Sequence, residues 1–223
     1  MGNCDIDIVT VFHSEENKEL VDELEQMILA HEPEGWRFIT VDNRLNNRGF
    51  AKGCNWGARN PRAVAPIIGF LNPDVTVLGP FIEQVQAAFE DPEVVITGCR
   101  FGKPDRELKI WGCEDWVCGA AFFIRRATFV ELGGFDEGYV WSWEETDLIR
   151  QVQELGLKVK SVELPIEHAS PAENTPADTK YKERWFAHGQ KRFALKWNRP
   201  APPERDPRNG QGQVSRRRSG HAI

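Results

Sequence analysis

The 223 residues are 40% hydrophobic, enough for one domain with a real core plus an appendage. The formal net charge of −6 is unevenly placed: five arginines against two acids give +3 from residue 200 onward, while 23 basic against 32 acidic side chains give −9 over residues 1–199. So acidic a body excludes broad contact with a nucleic-acid backbone, which needs basic surface to displace counterions, although not a local basic groove.

The opening Met1-Gly2-Asn3-Cys4-Asp5 has neither a basic n-region nor an apolar h-region, so no signal peptide is expected. No run approaches the roughly 18 apolar residues of a bilayer span. Five cysteines, an odd number, fit free thiols in a reducing compartment, and the cytoplasm is the expected location. Cys99, Cys113 and Cys118 lack the close C-x-x-C pair of a zinc site and read as buried thiols.

Ile6, Ile8, Val9, Val11 and Phe12 mark a buried first strand. Ser14 is placed to cap a helix from Glu15 to about His31, with Leu20, Val21, Leu24, Met27 and Ile28 as its apolar stripe. Trp36 to Val41 reads as a second strand closing on Asp42-Asn43, and Phe50 to Arg59 as a helix whose Gly49 and Gly53 permit close backbone approach. A strand over 65–71 is broken by Pro73. A helix follows over 80–90, then strands over 94–100 and 117–125, a short helix over 127–132 ending at Gly133-Gly134, a helix over 144–155 stopped by Gly156, and a strand over 157–164. An amphipathic helix over 181–197 comes last, carrying Trp185, Phe186, Phe193, Leu195 and Trp197.

Strands alternating with helices predict an α/β fold, a mostly parallel sheet flanked by helices, as one compact domain over residues 1–199. From Pro200 the chain is Pro, Gly, Arg, Gln and Ser, so residues 200–223 read as a disordered basic tail. Arg216–Arg218 would suit an anionic surface, and a solvated tail is the plainer reading.

In open α/β sheets, ligands bind beyond the carboxyl ends of the strands. Asp42-Asn43 closes the second strand, where a carboxylate and an amide suit a nucleobase or ribose as well as an ordinary turn. Asn72-Pro73-Asp74 follows the apolar Ile67–Leu71, placing a hard oxygen ligand where a divalent cation and a diphosphate would meet. His168 lies beyond the last strand and would complete a metal's coordination, or be an exposed histidine. Glu144, Glu145 and Asp147 crowd the start of a helix, where carboxylates stabilise the helix dipole and where one of them would serve as a general base. Trp141 and Trp143 alternate with Ser142, giving indole faces for a sugar ring or for a core.

Three ordered motifs carry a resemblance: Asn47 through Gly57 running on to Leu71-Asn72-Pro73-Asp74; Cys118-Gly119-Ala120 through Arg125-Arg126 to Gly133-Gly134-Phe135-Asp136-Glu137; and Glu144-Glu145-Thr146-Asp147-Leu148 with His168 downstream. Together these resemble the family 2 glycosyltransferases with the GT-A (Rossmann-like) fold, in the style of the rhamnosyltransferase-like branch. The resemblance implies inverting, metal-dependent transfer of a sugar from a UDP-, dTDP- or GDP-sugar, with Mn²⁺ or Mg²⁺ as cofactor. By position it makes Glu145 the base, Asp74 and His168 the metal ligands, and Phe12, Asp42, Asn47, Gly49, Asn55, Asn72, Gly119 and Ala120 the donor site. Trp141, Trp143 and Glu144 fall at the acceptor, which could be a protein, a glycan, a lipid-linked sugar or a modified nucleic acid.

Three features depart from the family pattern. The helix and strand usual between Asp42-Asn43 and Asn47 are missing, the first strand ends in Phe12-His13-Ser14, and Glu145 replaces an Asp. A nucleotide-sugar-binding protein without catalysis is the alternative reading. A nucleotidyltransferase would want a Gly-rich basic loop after the first strand, and Phe12-His13-Ser14-Glu15-Glu16 is neither.

Overall fold

The computed structural model describes residues 5–45, 49–101, 115–168 and 176–197. Eight strands and six helices are formed within them. In chain order these are β1 (Ile6–Phe12), α1 (Glu15–His31), β2 (Trp36–Asp42), α2 (Phe50–Ala58), β3 (Ile67–Leu71), β4 (Val75–Val77), α3 (Ile82–Ala88), β5 (Val94–Gly98), β6 (Ala121–Arg125), α4 (Arg126–Glu131), α5 (Glu144–Glu154), β7 (Lys158–Ser161), β8 (Ile166–His168) and α6 (Pro176–Lys196). The tail from residue 200 lies outside the described residues, as do Asn47 and Cys113. No helix among the described residues is long and apolar enough to cross a membrane.

The main sheet has six strands in the order β2-β1-β3-β6-β5-β7. β1 runs parallel to β2 and β3, β6 is antiparallel to β3 and β5, and β7 is parallel to β5, so β6 alone is reversed. Side chains alternate across a strand, and the two faces of this sheet carry separate cores. Ile6 and Ile8 of β1 meet Leu24 and Ile28 of α1 and Phe81, Ile82 and Val85 at α3 on one face. On the other face Val9 and Val11 meet Cys54 of α2, Phe129 of α4, and Leu148, Ile149 and Val152 of α5. The result is a three-layer α/β/α domain.

Local signals account for the elements. Ser14 caps α1 by accepting from the Asn17 amide at 3.1 Å. α2 lies close against β1 because Gly53 and Gly57 face it; a Cβ at Gly53 would come within 2.6 Å of Val11 Cγ1, and one at Gly57 would overlap Val9. The strand expected over 157–164 is shorter, Lys158–Ser161, and an unexpected strand follows it at Ile166–His168. β7 joins the main sheet, whereas β8 pairs antiparallel with the short β4 in a separate two-stranded sheet. Pro165 stands between them and has no N–H to extend a ladder.

Candidate active site

The parallel strands β1, β2 and β3 end at one edge of the sheet, and β6 begins there, with Ala121 opposite Leu71. At the ends of β1 and β2, Phe12 pairs in register with Asp42, and the Asn43 amide donates to the Phe12 carbonyl at 2.8 Å. Arg44, which the sequence reading passed over, organises this corner. Its guanidinium donates to both Asp42 oxygens at 2.6–3.1 Å, reaches Glu15, and lies 5.1 Å from the centre of the Phe12 ring. The hydrogen bonds from Arg44 lower the Asp42 carboxyl to about 2. An Asp two residues ahead of an Arg amide was the available signal, since that amide bonds the carboxylate in an Asx turn at 3.0 Å.

Gly49 starts α2 with φ of 82°, and a Cβ there would stand 2.8 Å from the Val140 carbonyl. That carbonyl accepts from the Phe50 amide at 3.0 Å, while Asn43 Nδ2 donates to the Gly49 carbonyl at 3.3 Å. These contacts join the end of β2 to the loop that feeds α5. Asn55 is buried, and its amide group is engaged by protein: Nδ2 donates to the Phe135 carbonyl at 2.8 Å and to Glu137 at 3.1 Å, and Oδ1 accepts from the Phe135 amide at 2.9 Å. Its visible role is to hold the glycine turn after α4 against α2.

Asn72-Pro73-Asp74-Val75 is a turn with proline at its second position, closed by the Val75 amide donating to the Asn72 carbonyl at 3.3 Å. The Asn72 amide donates to the Ala120 carbonyl at 3.0 Å, tying the turn to the Cys118–Ala120 segment, and Asn72 Oδ1 is buried without a hydrogen-bond partner. The β4–β8 pairing sets His168 opposite Val75, so His168 Nε2 lies 3.3 Å from Asp74 Oδ2. Burial raises the Asp74 carboxyl, but its hydrogen bond and charge interaction with His168, with a smaller contribution from Lys182, bring it below the ordinary range. Phe101 packs against the imidazole with ring centres 5.4 Å apart and also lines a neighbouring cavity of about 590 Å³.

The carboxyl pair lies at the start of α5. Ser142 and Trp143 enter that helix in left-handed conformations, φ 64° and 79°, which cost a non-glycine residue about 1–2 kcal/mol each. Glu144 and Glu145 are only 3% and 7% exposed. A Cβ on Gly119 would meet Glu145 Cδ at 3.6 Å, so the Glu145 carboxyl rests on the Cys118–Ala120 segment. Burial first, then the charge of Glu145, raises the Glu144 carboxyl well above its ordinary value; the Glu144 charge in turn helps raise the buried Cys54 thiol of α2. Trp141 is half-buried, whereas Trp143 is 5% exposed and packs on Phe186 and Phe193 of α6.

Asp147, grouped with the glutamates in the sequence, has a different task. It is fully buried and accepts from Tyr139, Gln151, Lys196 and Trp197 at 3.2, 2.9, 2.7 and 2.9 Å. Asp136 accepts from Arg192 Nη2 at 2.8 and 2.9 Å and from Nε at 3.2 Å. Together they fasten α6 across the loop that carries Trp141 and Trp143.

A model of glycosyl transferase family 2 matches residues 11–147, from the end of β1 into the first turn of α5. The chain belongs to glycosyl transferase family 2. The stretch matched within this family 2 chain includes Asp42, Asp74, Gly119 and Glu145 and ends before His168 and α6. None of the curated proteins matches it.

Solved structures share its fold. A mannosyltransferase from Pyrobaculum calidifontis, in complex with GDP-Man and Mn²⁺, superposes with a TM-score of 0.67 at 15% identity over 91% of this chain and 66% of its own. A Drosophila beta1,4galactosyltransferase 7 complex with xylobiose gives 0.53 at 13% identity over 79% and 78%. S. aureus TarS gives 0.56 at 12% identity over 86% and 72%. This chain therefore spans just under two thirds of the mannosyltransferase's length. Identities this low speak for the fold, which is GT-A.

Proposed function

We propose that this chain transfers a sugar from a nucleoside-diphosphate sugar to an acceptor hydroxyl in a single inverting displacement, with Glu145 as general base. The observation that carries the reading is the contact of Glu145 with Gly119, on the segment whose Ala120 holds the Asn72 amide at the Asp74–His168 pair. One sheet edge thus combines a carboxylate for the acceptor proton with charged ligands for the leaving diphosphate.

Asp74 and His168 would hold Mn²⁺ or Mg²⁺. A carboxylate oxygen beside an imidazole nitrogen is a suitable donor set, and the buried Asn72 Oδ1 on the same turn lacks a protein partner. Among the described residues no group of three or more His, Cys, Asp or Glu side chains is placed to hold a metal ion, so a cation here would rely on the donor's diphosphate and water as well. When bound, the cation supplies positive charge to the departing diphosphate. Asp42, with Arg44 and Phe12, would receive the nucleotide, and Gly119 and Ala120 the donor sugar.

The acceptor lies on the Trp141 side in this reading. A protein, a glycan, a lipid-linked sugar or a modified nucleic acid each fits a hydroxyl acceptor. Structural neighbours solved with GDP-Man and Mn²⁺, and with manganese, UDP-Gal and xylobiose, support the substrate class. The free thiols Cys54, Cys99 and Cys118 fit a reducing cytoplasm.

UDP-, dTDP- and GDP-sugars should be screened by thermal shift with and without Mn²⁺. A ligand at a hundred times its Kd stabilises the fold by about 2.7 kcal/mol. The expected result is one metal-dependent hit, followed by release of nucleoside diphosphate that Glu145→Gln lowers by about 10²–10⁴-fold with donor binding intact. A hit without any release of nucleoside diphosphate would favour the binding protein without catalysis. Unchanged turnover in Glu145→Gln would remove Glu145 from its role.

A further inference from the structure

The side of α6 turned away from Trp143 has no part in the site as described. We infer that this face, helped by the basic residues that follow it, docks the chain on the surface of an anionic lipid bilayer.

Charge is the first observation. Twelve basic against four acidic residues give +8 over residues 176–223, whereas 16 basic against 30 acidic give −14 over residues 1–175. The two signs are segregated along the chain, so an anionic partner is drawn to the α6 end and repelled by the rest. Six of those basic residues are arginines between 199 and 218, beyond the end of α6.

The second observation is what α6 presents. Phe186 and Phe193 pack inward on Trp143. Tyr181, Arg184, His188, Lys191 and Leu195 recur at three- and four-residue spacing, which sets them along one side of the helix, and all five are exposed. Tyr181 is 44% and Leu195 73% exposed. Trp185 borders this stripe, with ring centres 6.2 Å from Tyr181 and 5.3 Å from His188, and the Arg184 guanidinium lies 5.3 Å from the centre of its ring. Arg192 and Lys196 are engaged by Asp136 and Asp147, but no salt bridge among the described residues holds Arg184 or Lys191.

Cations beside aromatic rings and an aliphatic side chain match a headgroup layer, where lipid phosphates meet Lys and Arg while Tyr, Trp and Leu reach the acyl boundary. A nucleic-acid backbone would attract the same cations but gain nothing from Leu195. Because Gly189 of α6 lies against Ser142 and Trp143, docking through the outer face also brings the Trp141 loop close to the lipid.

Co-sedimentation of the full chain with vesicles tests the docking without donor, acceptor or metal. The chain is expected to pellet with vesicles of phosphatidylcholine and phosphatidylglycerol, to stay in solution with phosphatidylcholine alone, and to be released by high salt. Replacing Arg184 and Lys191 together by Gln should lower the partition coefficient on the order of 30-fold, because each cation near such a surface contributes about fivefold. Both side chains are exposed, so the melting temperature of this variant should match the parent's. Failure to pellet with the anionic vesicles, equal pelleting with the neutral ones, or parental binding by the double Gln variant would overturn the inference. Replacing Arg216, Arg217 and Arg218 by Gln in the full chain is expected to weaken binding while leaving the effect of the α6 pair in place. Tighter binding to a single-stranded RNA than to the anionic vesicles would assign the face to nucleic acid and overturn the choice of partner.

Discussion

A carboxyl taken out of water is governed by what faces it, and α5 holds two outcomes three residues apart. Asp147 meets Lys196, Trp197, Tyr139 and Gln151, two of them on α6 or just after it. Glu144 meets another carboxyl and a thiol. Its folded-state value lies above the 4.5 of an ordinary glutamate, so it costs the fold nothing below that pH and destabilises it increasingly as pH rises toward the folded value. Within that window the cost grows by up to about 1.4 kcal/mol per pH unit. Glu144→Gln should therefore gain melting temperature relative to the parent as pH is raised from 5 to 8. A difference between the two chains that stays flat with pH would contradict this. The sequence displayed the acidic trio at 144–147 but not the division of labour within it. Lys196 and Trp197 are remote in the chain, and no local pattern announces which acid they choose.

Among the elements, α6 shows how far periodicity can be read. Of the apolar residues expected along it at 185, 186, 193, 195 and 197, Phe193 is fully buried against Trp143, whereas Leu195 is exposed. Gly189 admits the Trp143 indole, since a Cβ there would sit 2.7 Å from Cδ1. Phe193→Ala should cost about 3–5 kcal/mol in urea unfolding, the usual penalty for emptying a buried aromatic site. A loss under 1 kcal/mol would mean that α6 contributes little to global stability. The two small strands were less readable. β4 and β8 have three residues each, too few for alternation to register, and only their pairing reveals why His168 stands beside Asp74.

For the molecule as a whole, the α/β class and a mostly parallel sheet were readable because apolar strands alternate with helices. The reversal of β6 was not, because strand direction leaves no mark on composition. Two apolar cores hold the sheet from both faces, and neither includes the Asp74–His168 pair. A chelator should accordingly leave the melting temperature of the free chain unchanged, yet abolish the shift produced by a nucleotide sugar, and Asp74→Ala should reproduce that second effect. A drop in the free chain's melting temperature with chelator would reveal a structural cation instead.

The family match ends at Asp147, the residue that receives Lys196 and Trp197. The matched stretch therefore ends at a socket whose plug lies beyond it. A version shortened to that position would leave the buried Asp147 carboxyl without Lys196 and Trp197, which reach it from 49 and 50 residues further along the chain.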